Sequence, residues 1–127
     1  MVTRGRVLIL GATGGIGGET ARRLIQKKWD VRALKRGLHG SERSGDIQWI
    51  GGDALDPEQV AAAAADCSAI VHAVNPPGYR NWEHLVLPML RNTIGAAERT
   101  GALVVLPGTV YNYGPDAFPL VREGAQQ

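Results

Sequence analysis

Four apolar residues, Val7-Leu8-Ile9-Leu10, run straight into glycines spaced Gly11-x-x-Gly14-x-x-Gly17, and Glu19 to Lys28 then resumes with helix-forming residues. A short, continuously apolar run ahead of a glycine cluster reads as strand, tight turn and helix. A strand with no polar face is the kind buried on both sides of a parallel sheet, and the helix after it packs back across that sheet. The spacing predicts a second strand over Asp30 to Arg36, completing a strand–helix–strand unit. An α/β fold follows from this one stretch.

The three glycines have separate tasks. Gly11 lets the chain leave the strand in a conformation that a side chain obstructs, Gly14 removes a Cβ where a phosphate must approach the backbone, and Gly17 lets helix and strand come close. The N–H groups of the first helical turn, Gly15 to Gly17, lack intrahelical acceptors and are expected to face an anion, aided by the helix dipole. A pyrophosphate suits such a cradle. The spacing is one residue longer in its first gap than GxGxxG, and without its context it marks no more than a tight βα turn. A P-loop is excluded, because no Gly-Lys-Ser/Thr follows the glycines.

The helix after the glycines carries Ala21, Leu24 and Ile25 on one stripe and Arg22, Arg23, Lys27 and Lys28 mostly on the other, ending near Lys28 or Trp29. The second strand ends in Lys35-Arg36, where the adenosine ribose of a dinucleotide rests in a doubly wound sheet. A carboxylate at that point selects NAD. Two cations, of which a guanidinium can grip a 2′-phosphate with paired hydrogen bonds, favour NADP, with NAD as the alternative cofactor and solvated surface cations as the bland reading.

Leu38 to Gly45 is polar and glycine-rich and reads as an exposed connection, with no role for His39. A third strand is expected over Asp46 to Ile50. Asp56-Pro57-Glu58 then supplies an N-cap acceptor, a first-position proline and a first-turn acid for a short helix that Ala61 to Ala65 completes. Asp53, just past the strand end, can accept a hydrogen bond from an adenine amino group or serve only to form the turn. Ser68 to Val74 is the fourth strand, in which His72 reads as a hydrogen-bonded core residue. Asn75, followed by Pro76 and Pro77, is placed to line the nicotinamide-ribose end of a cleft.

Asn81 to Thr100 is a long helical segment with Trp82, Leu85, Met89, Ile94 and Ala97 as its expected buried positions. Pro88 should bend it or mark an early turn. Gly101 stops it, and Ala102 to Leu106 is the fifth strand.

At 127 residues the chain has the length of one domain with a real core. Residues 1 to 43 hold ten Lys or Arg against three acids, while the remainder holds four against nine. The basic half lacks the interleaved aromatics of a single-strand nucleic-acid platform, so a solvated helix face and a phosphate-facing edge explain it better. Cys67 is the only cysteine, which excludes an internal disulfide and reads as a packing residue. No apolar run approaches the roughly 20 residues that cross a bilayer, no signal-peptide pattern is present, and a cytoplasmic location is the expectation. No His, Cys or acidic cluster has metal-ligand spacing.

Taken in order, Gly11 to Gly17, Gly52-Asp53-Ala54-Leu55-Asp56, Ile70-Val71-His72, Arg91-Asn92-Thr93-Ile94-Gly95 and Val110-Tyr111 resemble the extended short-chain dehydrogenase/reductase family. More narrowly, they are similar to its NAD-dependent epimerase/dehydratase group, atypical members included. The resemblance implies a Rossmann-like doubly wound parallel sheet of about five strands with helices on both faces. It places the cofactor on Gly11, Thr13, Gly14, Gly15, Ile16, Gly17, Arg36, Asp53 and Asn75, to which Lys35 is added from its place beside Arg36. The implied activity is hydride transfer on a sugar-like or other carbonyl or alcohol substrate.

The chain departs from the family pattern at two points. Pro107 stands where the family's catalytic serine is expected, leaving Thr109 as the nearby hydroxyl, and no Tyr-x-x-x-Lys occurs in these residues. Tyr111 matches the family's Val-Tyr-Gly tyrosine, which lines the substrate cleft. Thr109 and Tyr111 are therefore the candidate catalytic residues. The resemblance also implies that residues 1–127 are an incomplete NAD(P)-binding domain, an amino-terminal piece without its substrate-binding region and inactive alone. The alternative is a non-catalytic dinucleotide-binding module that senses redox state. A small-molecule substrate is the expected partner, nucleic acid and membrane are not, and an open sheet edge leaves room for a homodimer.

Overall fold

The computed structural model describes residues 4–74 and 82–107, the first two of the second segment by backbone alone. Its described strands are β1 (Arg6–Leu10), β2 (Asp30–Lys35), β3 (Ser41–Ser44), β4 (Ile47–Gly51), β5 (Ala69–His72) and β6 (Leu103–Val105). Its described helices are α1 (Gly15–Gln26), α2 (Pro57–Ala63) and α3 (Trp82–Thr100). The strands form one sheet in the order β3-β4-β2-β1-β5-β6, parallel throughout except for the β3–β4 pair.

Alternation along β1 divides the core into two layers. Val7 and Ile9 pack with Val31, Val71 and Ala21 of α1, while Leu8 and Leu10 pack with Ile70, Val60 and Ala63 of α2, and Ala96 and Ala97 of α3. The side chains of Val7, Leu8, Ile9 and Leu10 are no more than 1% exposed. Burying each stabilises the fold by about 1.5–3 kcal/mol, which is why this strand is central. Helices thus cover both faces, as the Rossmann-like reading requires.

The sheet has six described strands rather than about five. Leu38 to Gly45, expected to be an exposed connection, is exposed but contains β3, which pairs antiparallel with β4 in the register Glu42↔Trp49. Left-handed glycines at Gly37 (φ +81°), Gly40 (φ +79°) and Gly45 (φ +60°) turn the chain into and out of it. An edge strand with both faces in water needs no apolar alternation, so Ser41-Glu42-Arg43-Ser44 carries no strand pattern.

Two smaller differences have local causes. Helix α1 stops at Gln26, short of Lys28, because Lys28 itself adopts the left-handed conformation (φ +70°). The Lys28 N–H donates to Ile25 O and the Trp29 N–H to Leu24 O, both at 3.0 Å, a Schellman closure without its usual glycine. On α3, Ile94 was expected to be buried and is 43% exposed. The buried seam runs Met89, Thr93, Ala96, Ala97 and leaves Ile94 just outside it. Helix α3 also continues through Pro88. At its far end Gly101, at φ +77°, donates its N–H to Ala97 O at 2.8 Å and stops the helix as expected.

Candidate functional site

The order in which successive strands are laid down reverses at β1, with β2 and β4 to one side and β5 and β6 to the other. In an open α/β sheet such a switch point leaves a crevice at the carboxyl ends of the diverging strands. Here it opens as a cavity of about 500 Å3 between the turn after β1, the end of β2, the turn after β4 and the end of β5. Leu10, Leu34, Leu85 and Met89 give it an apolar side.

Gly11, Thr13 and Gly14 form one wall. Gly11 has φ +88°, and a Cβ there would lie 2.5 Å from the carbonyl oxygen of Ala73 at the end of β5. The turn is closed by the Gly14 N–H donating to Gly11 O at 3.0 Å, and Gly14 is the N-cap of α1 with no side chain capping it. A Cβ on Gly17 would fall on the Gly11 carbonyl, so glycine is required where helix meets strand. The first intrahelical bond at this end is Gly18 N–H to Gly14 O, 2.9 Å. The amides of Gly15, Ile16 and Gly17 are therefore left without backbone acceptors. The first turn of α1 carries no acid, so the dipole's positive end is not neutralised locally. Gly15, Ile16 and Gly17 stand just beyond the cavity wall, Ile16 with 62% of its surface exposed.

Lys35 and Arg36 line the cavity at the end of β2. Among the described residues neither takes part in an ion pair. The Lys35 ammonium lies 5.6 Å from the centroid of the Trp49 ring. Asp53, in the turn after the neighbouring strand β4, also lines the cavity. Its Oδ1 accepts the Leu55 N–H at 2.9 Å, and its own N–H donates to Gln59 Oε1 at 2.8 Å. The turn role is thus real. Asp53 Oδ2 accepts no hydrogen bond among the described residues. Asp56 is the N-cap of α2, accepting from the Glu58 and Gln59 amides at 3.0 and 3.2 Å. Asn92 of α3 donates to Ala54 O at 2.9 Å and ties that helix to the Asp53 turn.

Behind the apolar side, His72 Nδ1 is 2.8 Å from Thr93 Oγ1, whose hydroxyl donates to Met89 O at 3.2 Å. The contact gives Nδ1 a polar partner inside the core. Burial holds the His72 imidazolium pKa below its ordinary value. Cys67 is buried and its thiol pKa is raised, chiefly by desolvation. Both are core residues, as expected.

Sequence reasoning missed Arg32, a β2 residue only 9% exposed. Its guanidinium donates to the carbonyls of Ala63 and Ala65 at 2.8 and 2.9 Å, satisfying the carboxyl end of α2. A cation between apolar Val31 and Ala33 is the only sequence signal for it. Asn75, Thr109 and Tyr111 lie outside the described residues. Among the described residues, no cluster of potential metal ligands occurs and no helix is long and apolar enough to cross a membrane.

A family model described as NAD(P)H-binding matches residues 11–123. No curated protein matches the sequence. A mutant of uronate dehydrogenase from Agrobacterium tumefaciens, complexed with NAD, is 24% identical, with a TM-score of 0.70 over 87% of this chain and 43% of its own. An epimerase candidate from Burkholderia cenocepacia J2315 is 23% identical, with a TM-score of 0.76 over 98% of this chain and 44% of its own. Vestitone reductase from alfalfa is 18% identical, with a TM-score of 0.65 over 81% of this chain and 36% of its own. The chain therefore spans less than half the length of each of these structures. The likeness to them is one of fold.

Proposed function

The chain belongs to the NAD(P)H-binding family, and from that premise we propose that it is the cofactor-binding part of an NADP-dependent oxidoreductase or epimerase acting on a sugar-like or other carbonyl or alcohol substrate. The observation that carries the reading is the pairing, across one cavity, of an acid-free helix N-terminus behind Gly11-x-x-Gly14-x-x-Gly17 with the cations Lys35 and Arg36. The residues fit a dinucleotide: donors without acceptors for the diphosphate, cations for a 2′-phosphate, and the Asp53 carboxylate for an adenine amino group. When bound, the nicotinamide supplies or accepts a hydride. The chain's own part is to hold the diphosphate and ribose, with Asn75 at the nicotinamide end, Thr109 polarising a substrate oxygen and Tyr111 lining the substrate cleft.

Calorimetric titration with NADPH and NADH tests the cofactor reading. NADPH is expected to bind more tightly, and binding of neither would end it. Replacing Arg36 with Ala is expected to weaken NADPH about tenfold or more, since a charge-assisted hydrogen bond contributes about 1.5–3 kcal/mol. NADPH affinity within twofold of the original would overturn the NADP preference.

A second reading, a redox-sensing module that binds the dinucleotide without turnover, is supported by Pro107 at the expected serine position and by the lack of Tyr-x-x-x-Lys in this sequence. A Tyr/Lys pair in the reading frame beyond Gln127 favours the enzyme.

A further inference from the structure

The ladder sets an aromatic ring beside one of the two cavity-lining cations. In the β2–β4 register, Ala33 pairs with Trp49 and Lys35 with Gly51. Residues two apart on a strand share a face, so Lys35 and Trp49 are diagonal neighbours on the same side of the sheet. The position directly opposite Lys35 is a glycine, which adds no side chain of its own between the lysine stem and the indole. That glycine is fixed for another reason: a Cβ on Gly51 would fall on the carbonyl of Leu38, in the loop that leads from Arg36 into β3. The Gly51 N–H also donates to Gly40 O at 2.7 Å, and the Gly52 N–H to Lys35 O at 3.0 Å, so both ends of that loop are pinned to β4.

We propose that Trp49 is a positioning residue that makes Lys35 the second cation of a clamp for the 2′-phosphate of NADP, beside Arg36. The assignment rests on the NADP reading above. A free lysine spreads its ammonium over many rotamers and loses that freedom when an anion is captured. With Nζ 5.6 Å from the centroid of Trp49, the stem is ordered before the ligand arrives, while N–H donors directed away from the ring stay open to an anion. Trp49 acts through Lys35 alone, since Lys35 lines the cavity and Trp49 does not. The carboxylate set against this pair is Glu42, opposite Trp49 in the β3–β4 ladder and on the same face. It forms no ion pair with Lys35, whose charge therefore remains available.

The test is the affinity of the whole chain for NADPH and for NADH in the Trp49→Leu, Trp49→Phe, Lys35→Met and Trp49→Leu/Lys35→Met variants. A surface cation–π contact corresponds to roughly a two- to fivefold effect. Trp49→Leu is expected to lose that factor for NADPH with NADH unchanged, Trp49→Phe to retain most of the affinity, and Lys35→Met to lose at least as much for NADPH only. On the Lys35→Met background the Trp49→Leu effect should vanish. Equal weakening of both dinucleotides by Trp49→Leu, or persistence of its effect without Lys35, overturns the assignment. Should Trp49→Leu fail to fold, NADPH affinity unchanged in Lys35→Met overturns it independently. A wild-type chain that binds neither dinucleotide, or prefers NADH, fails the NADP reading itself. One that prefers NADPH but ignores these substitutions fails only the role of Trp49.

Discussion

At the scale of single residues, two backbone positions show how conformation and contact set what a side chain costs. Gly11 combines φ +88° with a virtual Cβ 2.5 Å from Ala73 O, so Gly11→Ala strains the backbone and forces β1 and β5 apart. Urea denaturation is expected to show a loss of at least about 2 kcal/mol. Lys28 is the converse. It occupies the left-handed residue of a Schellman closure without being glycine, and its side chain is exposed, so Lys28→Gly should stabilise the chain by about 0.5–1 kcal/mol. An unchanged or lower urea midpoint would refute this. His72 gives a pH dependence. Burial lowers its folded pKa, so below the ordinary value of 6.5 the unfolded state binds a proton that the folded state resists. Stability is fully present above pH 6.5 and is lost as pH falls through that value, with a slope of at most about 1.4 kcal/mol per pH unit for one proton. The slope of the urea midpoint between pH 7.5 and 5.5 should shrink in His72→Phe. Of these features, the tasks of Gly11 and the core role of His72 were legible in the sequence, because chain direction and an apolar surround constrain them. Lys28 and Arg32 were not: the first obeys a glycine rule with the wrong residue, and the second is held by carbonyls 31 and 33 residues further along the chain.

At the scale of elements, the legible ones are those whose ends carry their own chemistry. Helix α2 begins where Asp56-Pro57-Glu58 says it must, and Asp56 accepts two amides there. Strand β1 announces itself by being apolar at every position from Val7 to Leu10. Strand β3 has no such local cause: its register, its exposure and its existence depend on β4 beside it and on three left-handed glycines. Gly51 is the point at which that tertiary dependence can be tested. A Cβ there meets backbone rather than a flexible side chain, so Gly51→Ala must displace the loop after Arg36. The expected outcome is loss of NADPH affinity through misplacement of Lys35 and Arg36, with NADH affinity less affected. Equal losses for both would mean that the loop supports the whole fold rather than the cation pair.

At the scale of the molecule, the cavity lies where β1 parts its two neighbours. The β2–β4–β3 half supplies Lys35, Arg36 and the Asp53 turn; the β5–β6 half contributes Ala73 and Val74, with Leu85 and Met89 from α3 beneath. The glycine turn is the bridge between the halves, as Gly11 abuts Ala73. A ligand spanning the cavity therefore adds a tie between the two halves of the sheet. By mass action, NADPH at a hundred times its Kd adds about 2.7 kcal/mol to stability, a rise in melting temperature of roughly 10 °C for a domain of this length. Where that protection falls distinguishes a dinucleotide in the switch-point cavity from an anion held elsewhere on the basic half of the chain. Hydrogen exchange should slow at the amides of Gly15, Ile16 and Gly17, at Gly52 to Leu55, and at Ala73 and Val74, because all three groups border one ligand. Protection confined to the outer face of α1, around Arg22 and Arg23, with the Asp53 turn and the end of β5 unaffected, would show that NADPH is bound as a polyanion on a basic surface and that the cradle at the head of α1 is not its site.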